Sequence, residues 1–191
     1  EMEGRRVGYL FFRNFVRPSV AALDEAFATL RDAGVTELVL DLRYNGGGLV
    51  DVAVHLGSLI GGAVTAGQPF ATYAHNDRNA SRNETIRFET LEQPAPQLSR
   101  LVAIASRSSA SASELVINAL RPFMPVDIIG DATYVSDVAI RPTGKFSVVD
   151  RDIGHAAGAV PRQRGAGHFA QDALRHGLKP ARVVRTGGFV L

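Results

Sequence analysis

The sequence predicts an α/β fold built on a largely parallel sheet. Three observations support this. Short apolar runs at 7–13, 37–42, 101–105 and 126–129 have the length and bulk of buried strands. Segments with apolar residues at helical spacing separate them, and strands alternating with helices define an α/β core. Hydrophobic residues make up 46% of the 191, enough for the core of one domain of ordinary size.

Val7 to Arg13 (VGYLFFR) opens the chain as a buried strand. Pro18 stands near the start of a helix, where a missing N–H costs nothing, and Leu23, Phe27 and Leu30 repeat at helical spacing before Gly34 ends the helix. Glu37 to Leu42 (ELVLDL) is the second strand, so this stretch reads as a right-handed βαβ unit. After Arg43-Tyr44-Asn45-Gly46-Gly47-Gly48 comes a helix from about Leu49 to Ile60, with Leu49, Ala53, Leu56 and Ile60 on its buried face. A loop over Gly61 to Pro69 leads to a hairpin of Ala71 to His75 and Thr85 to Thr90, turning around Asn76-Asp77. Leu101 to Ala105 is a buried strand, Ser111 to Leu120 a helix, and Val126 to Ile129 a further strand. Beyond Gly130 the pattern is weaker. Phe146 to Val149 reads as a strand, His168 to His176 as a short helix and Val183 to Leu191 as a closing strand, while Ala157 to Gly167 is Gly/Ala-rich without periodicity.

Composition removes several function classes. Without cysteine there is no disulfide, thiolate nucleophile or Cys-ligated zinc site. A formal charge of +2 gives little attraction for nucleic acid. The charge is uneven, since nine Lys/Arg face three Asp from Arg141 onwards; this block reads as a solvated basic end. No run of about 20 apolar residues spans a bilayer. No basic-then-apolar segment opens the chain, so the sequence reads as a mature fragment or a soluble protein.

Two strand-to-helix turns carry the chemistry. In Ser109-Ala110-Ser111-Ala112-Ser113-Glu114, a serine sits at a helix N-terminus among free N–H groups and the positive dipole end, which can stabilise an oxyanion beside an attacking hydroxyl. Ser111 and Glu114 also have capping-box spacing, and the two roles can share one turn. In Asp41-Leu42-Arg43-Tyr44-Asn45-Gly46-Gly47-Gly48, a glycine bend offers upturned amides for an oxyanion hole. It lacks the Lys-Ser/Thr of a P-loop and the glycine spacing of a dinucleotide fingerprint. A plain tight turn, held by an Asp41–Arg43 pair, is the simpler reading of the same residues.

Together the two turns resemble the carboxyl-terminal-processing, or tail-specific, serine proteases. There an Asp-Leu-Arg-x-Asn-x-Gly-Gly turn precedes a Ser-Ala-Ser-Ala-Ser-Glu turn, both after buried strands. Gly130-Asp131-Ala132-Thr133-Tyr134 fits the family's Gly-Glu-x-Thr-Tyr/Phe segment, and the likeness covers Val7 to Tyr134. The resemblance implies a crotonase-like or ClpP-like core and peptide cleavage by a Ser–Lys dyad. It makes Ser111 the nucleophile and implies an oxyanion hole from the N–H of Ala112 and that of Gly47 or Gly48. It further implies extended or unfolded polypeptide substrates recognised near an apolar C-terminus, no metal or organic cofactor, an extracytoplasmic or periplasmic location, and a family habit of homo-oligomer assembly. On this reading 1–134 is the protease core and 135–191 a divergent C-terminal part of the same domain. The family's peptide-binding PDZ domain, absent from this stretch, is expected before Glu1 in a longer parent.

The sequence departs from the family where the general base belongs. A Gly-Lys should follow Tyr134, and Ser136 stands there instead; a serine hydroxyl is no base near neutral pH, whereas a buried amine is. Three explanations remain open: a missing stretch of chain, an amine relocated to Lys145, or loss of the base in a peptide-binding pseudoprotease. His55, His155, His168 and His176 read as surface or structural histidines. An acyl-CoA enzyme on a related core is a further alternative, for which no adenine or phosphate site is found.

Overall fold

The computed structural model describes residues 5–75 and 77–133, together with the backbone of strands at 138–140 and 146–148. Ser136, Lys145, His155, His168, His176, the basic block beyond Ile140 and the elements expected after Val149 lie outside the described residues. Among the described residues, eight strands and three α-helices follow in the order β1 (Val7–Phe11), α1 (Ser19–Asp32), β2 (Glu37–Asp41), α2 (Val50–Gly61), β3 (Pro69–Ala74), β4 (Glu84–Arg87), β5 (Arg100–Ala105), α3 (Ala112–Leu120), β6 (Val126–Gly130), β7 (Val138–Ile140) and β8 (Phe146–Val148). This is the expected α/β architecture.

The first sheet has the order β1-β2-β5-β6 and is parallel throughout. Both faces of a parallel sheet are covered, which is why its strands read as near-continuous apolar runs. Leu38, Leu40, Leu101 and Ala103 are fully buried. The second sheet, β4-β3-β8-β7, is mixed: β3 pairs antiparallel with β4 and parallel with β8. The register that matters for function is Asp41 opposite Ile104, extended by Leu42 N–H donating to the Ile104 carbonyl at 2.8 Å. Adjacent parallel strands end at the same edge, so the segments leaving β2 and β5 emerge side by side.

The helices close the core. α1 buries Leu23, Ala26, Phe27 and Leu30, and Gly34 follows its end at φ +65°. All nine residues of α3 are buried, and the helix packs against α2 and β3. Such a helix rests on packing from every side, not on an amphipathic face.

Three expectations need adjustment. Leu49 is 42% exposed, whereas Ala53, Leu56 and Ile60 are buried. It occupies the N-cap in an extended conformation, so the helical period that aims the others inward does not yet apply to it. The loop after α2 includes a 3₁₀ turn at Gly62–Val64. The β3–β4 connection is longer than a tight turn, because the 3₁₀ segment Asp77–Arg82 intervenes. His75 N–H donates to Asn83 Oδ1 at 2.7 Å across its base.

Candidate active site

The glycine bend and the serine turn meet at the shared edge of β2 and β5. A Cβ placed on Gly47 would lie 2.8 Å from both the Ala110 carbonyl oxygen and Ser111 Cβ, and 3.0 Å from the Ala112 nitrogen. Gly47, at φ +101°, is thus glycine for two reasons: its backbone angle and the turn packed against it. Gly48, at φ +139°, lies so close to the Phe15 carbonyl that any side chain would collide with it.

Serine hydroxyls hold the two turns together. Ser106 Oγ donates to the Arg43 carbonyl. Ser109 Oγ donates to the Leu42 carbonyl at 2.6 Å, and Ser113 Oγ to the Asn45 carbonyl at 2.9 Å. Ser109 and Ser113 are fully buried. Of the five serines from 106 to 113, Ser106, Ser109 and Ser113 are therefore committed to carbonyls at the exit of β2, while Ser108 is exposed and makes no such tie. The Ser111 side chain is not among these ties and stays partly exposed.

Ser111 is the one described non-glycine residue with positive φ, at φ 55° and ψ −115°. A non-glycine residue in such a region costs on the order of 1–3 kcal/mol and persists only where its surroundings enforce it. The enforcing contacts are present. Ser111 N–H donates to Glu114 Oε2 at 2.9 Å, as the capping box expected from the spacing requires. The Ser111 carbonyl accepts from the N–H groups of Glu114 and Leu115 at 2.9 and 3.0 Å. The capping box also sets the Ser111 side chain as an acceptor for the Glu114 N–H, which the Ser111 carbonyl shares, so the first turn of α3 keeps a backbone acceptor when the hydroxyl turns away.

Glu114 is 5% exposed, and its other oxygen accepts the Thr133 hydroxyl at 2.5 Å. Burial pushes its carboxyl above the ordinary range, against the opposing pull of the bonds from Thr133 and Ser111.

Asn45 couples the two turns to β1. Its Nδ2 donates to the Phe12 carbonyl at 3.0 Å and its Oδ1 accepts Gly47 N–H at 2.9 Å. Its carbonyl accepts Ala110 N–H at 3.2 Å as well as the Ser113 hydroxyl. The side chain is fully buried and uses both of its polar ends. Because Gly47 N–H is taken, the amides left without an acceptor among the described residues at this junction include those of Gly48 and Ala112.

Asp41 and Arg43 form the expected pair. Arg43 donates from Nη2 to Asp41 Oδ2 at 2.6 Å and from Nε to Oδ1 at 3.0 Å, while the Tyr9 hydroxyl donates to Oδ2 at 2.5 Å. Asp41 is fully buried. Burial by itself would raise its pKa, but the bonds from Arg43 and Tyr9 outweigh it and hold the carboxyl below the ordinary range. The Tyr9 hydroxyl is pushed up, first by burial and then by its bond to Asp41. His55 bridges Glu89 through Nδ1 at 2.7 Å and Asp24 through Nε2 at 2.8 Å, joining α1, α2 and the segment after β4. This is the structural histidine the sequence suggested. No group of three or more His, Cys, Asp or Glu among the described residues could hold a metal ion. No described helix is long and apolar enough to cross a membrane.

On a parallel α/β sheet, a glycine bend with an amide open among the described residues packs against a serine at a helix mouth, a class of site that can hold an anion. Comparison with known proteins narrows the class. Residues 6–144 match the model of peptidase family S41, and the chain belongs to that family. It is 28% identical over 130 residues to the chloroplastic C-terminal processing peptidase of Tetradesmus obliquus, covering 68% of this chain and 26% of the relative. It is 26% identical over 134 residues to the carboxy-terminal processing protease CtpB of Bacillus subtilis, covering 70% of this chain and 26% of that one. The chain therefore spans about a quarter of the length of these relatives. Among solved structures, a Bacteroides fragilis protein assigned to the S41 proteases superposes with a TM-score of 0.65 at 32% identity, over 75% of this chain and 41% of the other. The photosystem II D1 C-terminal processing protease gives 0.54 at 27% identity, over 72% and 34%.

Sequence reasoning found both turns and the Asp41–Arg43 pair. It did not find the junction role of Asn45, the hydroxyl ties from Ser106, Ser109 and Ser113, or the Thr133–Glu114 bond. The signal for the first was a lone asparagine before glycines, which also reads as an ordinary turn former.

Proposed function

We propose that the protein is a serine endopeptidase cleaving extended or unfolded polypeptides near their C-termini, with Ser111 as acyl nucleophile. One observation carries the proposal: of the serines in the run, Ser111 is held in a strained backbone conformation against the glycine bend while three neighbours spend their hydroxyls on the β2 exit. In the proposed reaction, Ser111 Oγ bonds to the scissile carbonyl carbon as its proton passes to an amine. The oxyanion is held by the N–H groups of Gly48 and Ala112, with Gly47 shaping the bend. Collapse of the intermediate breaks the C–N bond, and the amine returns the proton to the leaving nitrogen. Water then repeats the sequence on the acyl-enzyme. Removing one donor of such a hole typically costs about 100- to 1,000-fold in rate.

Lys145 is the candidate for the amine. Relatives named as C-terminal processing proteases support the substrate class, and the division into a core over 1–134 and a divergent part over 135–191 belongs to the same proposal. So does an extracytoplasmic location, which cell fractionation tests. The specific alternative is a pseudoprotease that binds peptides without cutting them, favoured by Ser136 standing where the family has lysine.

A fluorophosphonate probe and an unfolded casein substrate separate the readings. The proposal expects labelling at Ser111 and casein cleavage, both lost in Ser111→Ala, with cleavage also lost in Lys145→Ala. Peptide binding with neither labelling nor cleavage would establish the alternative.

A further inference from the structure

Beside the N–H that the proposed reaction uses, Gly48 has a carbonyl acceptor that it does not use. Phe15 and Gly48 form an isolated parallel bridge. Its two bonds run from Phe15 N–H to the Gly47 carbonyl at 3.1 Å and from Leu49 N–H to the Phe15 carbonyl at 2.8 Å. In a parallel bridge of this kind the flanking peptide groups do the pairing, and the central residue turns its own N–H and C=O to the opposite edge. Among the described residues, neither the N–H nor the carbonyl of Gly48 has a partner, and Gly48 is exposed. A glycine flanked by a fixed strand on one side, with donor and acceptor both open on the other, is a one-residue sheet edge. That edge lies next to Gly47, which is packed against Ser111 and Ala112.

We infer that Gly48 registers the substrate at two points: its N–H holds the scissile carbonyl oxygen, and its carbonyl accepts the N–H of the same, acyl-donating residue. The inference rests on the reading of Ser111 as nucleophile and adds a selectivity to it. Two bonds exchanged with one residue form the hydrogen-bonded pair of an antiparallel ladder, so the substrate is bound as a short β-strand. The acyl donor must then carry a peptide N–H. An ester-linked or N-substituted residue at that position leaves the Gly48 carbonyl unpaired beneath the bound substrate. A buried polar group without its partner is costly, whereas a remote position that lacks an N–H loses nothing there. Gly48 cannot be replaced to test this, since a side chain would strike Phe15; the change has to be made in the substrate.

The test uses the full-length protein and a set of three peptidyl diphenyl phosphonates. In each, Ser111 Oγ would bond to phosphorus as one phenoxide leaves, taking up the hydroxyl proton as phenol. The parent carries N–H on the residue bearing phosphorus. The second reagent replaces that N–H by oxygen, a near-isosteric change. The third places the same N–H-to-oxygen change two residues further towards the N-terminus. Rates of labelling at Ser111 are followed by intact mass and peptide mapping, each corrected for the reagent's own hydrolysis. The expected result is labelling by the parent, a loss of about 10- to 100-fold for the second reagent and under about threefold for the third. Equal rates for the parent and the second reagent would overturn the Gly48 register while leaving Ser111 as nucleophile. A loss of equal size for the second and third would also overturn it, because the effect would not be local to Gly48. Failure of all three to label Ser111 would overturn the nucleophile assignment and this inference with it.

Discussion

Replacing Asn45 by alanine removes a side chain that is buried and bonded at both ends. The Nδ2 bond to the Phe12 carbonyl, at 3.0 Å, and the bond from Gly47 N–H to Oδ1, at 2.9 Å, are lost together. Neither backbone group has another partner among the described residues, and each buried group left unmet costs about 1–3 kcal/mol, so the sum is about 2–6 kcal/mol. The backbone bonds of Asn45 to Ala110 and Ser113 survive the change, which places the expected loss near the lower half of that range. Urea unfolding gives the stability change. The phosphonate labelling rate at Ser111, measured where the variant is still folded, gives the effect on the site, and we expect a fall of about tenfold or more as the glycine bend loosens. Asn45→Asp separates the two bonds: it keeps an acceptor for Gly47 but sets oxygen against the Phe12 carbonyl. A stability loss below about 1 kcal/mol in Asn45→Ala, with unchanged labelling, would refute the view that this residue joins β1, the bend and the serine turn.

Ser111→Gly should abolish labelling and cleavage yet stabilise the fold by up to about 1 kcal/mol in thermal or urea unfolding, because glycine accepts the φ of 55° at little steric cost. A destabilised variant would mean that the conformation is not strained. Gly47→Ala should destabilise by about 1–3 kcal/mol and slow labelling, since its Cβ would stand 2.8 Å from the Ala110 carbonyl and from Ser111 Cβ; retained stability and rate would argue against the close approach. Glu114 sets a pH dependence of defined sign. Its folded pKa is raised, so the folded state keeps the proton longer than the unfolded chain. Stability therefore falls as pH rises from the ordinary value near 4.5 through the raised folded value, and is level above it. Glu114→Gln can still accept from Ser111 and donate to Thr133, and its urea midpoints across that window should lose this slope; an unchanged slope would assign it elsewhere. Asp41 acts in the opposite direction. Its folded pKa is lowered, so the stability it adds is present above the ordinary value near 3.8 and is lost as pH falls through the folded value. Asp41→Asn should flatten the acid limb of the same pH series.

The strands and helices of the first sheet were legible because burial writes itself locally. Leu38–Val39–Leu40 and Leu101 to Ala105 are continuous apolar runs, as buried parallel strands are, and Leu23, Phe27 and Leu30 repeat with the helical turn. The glycine run was legible as a bend that only glycine adopts freely, and the serine alternation by its place between a buried strand and a helix. β7 was not read, since three residues, Val138–Ile140, carry too little pattern to stand out. Leu49 was misplaced because a cap residue looks helical in sequence but is extended in space.

What the amino-acid order determined by itself was the set of elements and the residue types at their ends: a serine before α3, glycines before α2, and a lysine missing from its usual place. Tertiary structure decided which of those ends face each other. Side-by-side pairing of β2 and β5 brings Gly47 against Ser111, and it lets hydroxyls reach carbonyls 63 to 68 positions away in the chain. Such bonds have no periodicity and no local preference, since either partner alone would be satisfied by water. Only when the shared sheet edge excludes that water do Ser109 and Ser113 become buried ties, with Ser111 left beside the glycine bend.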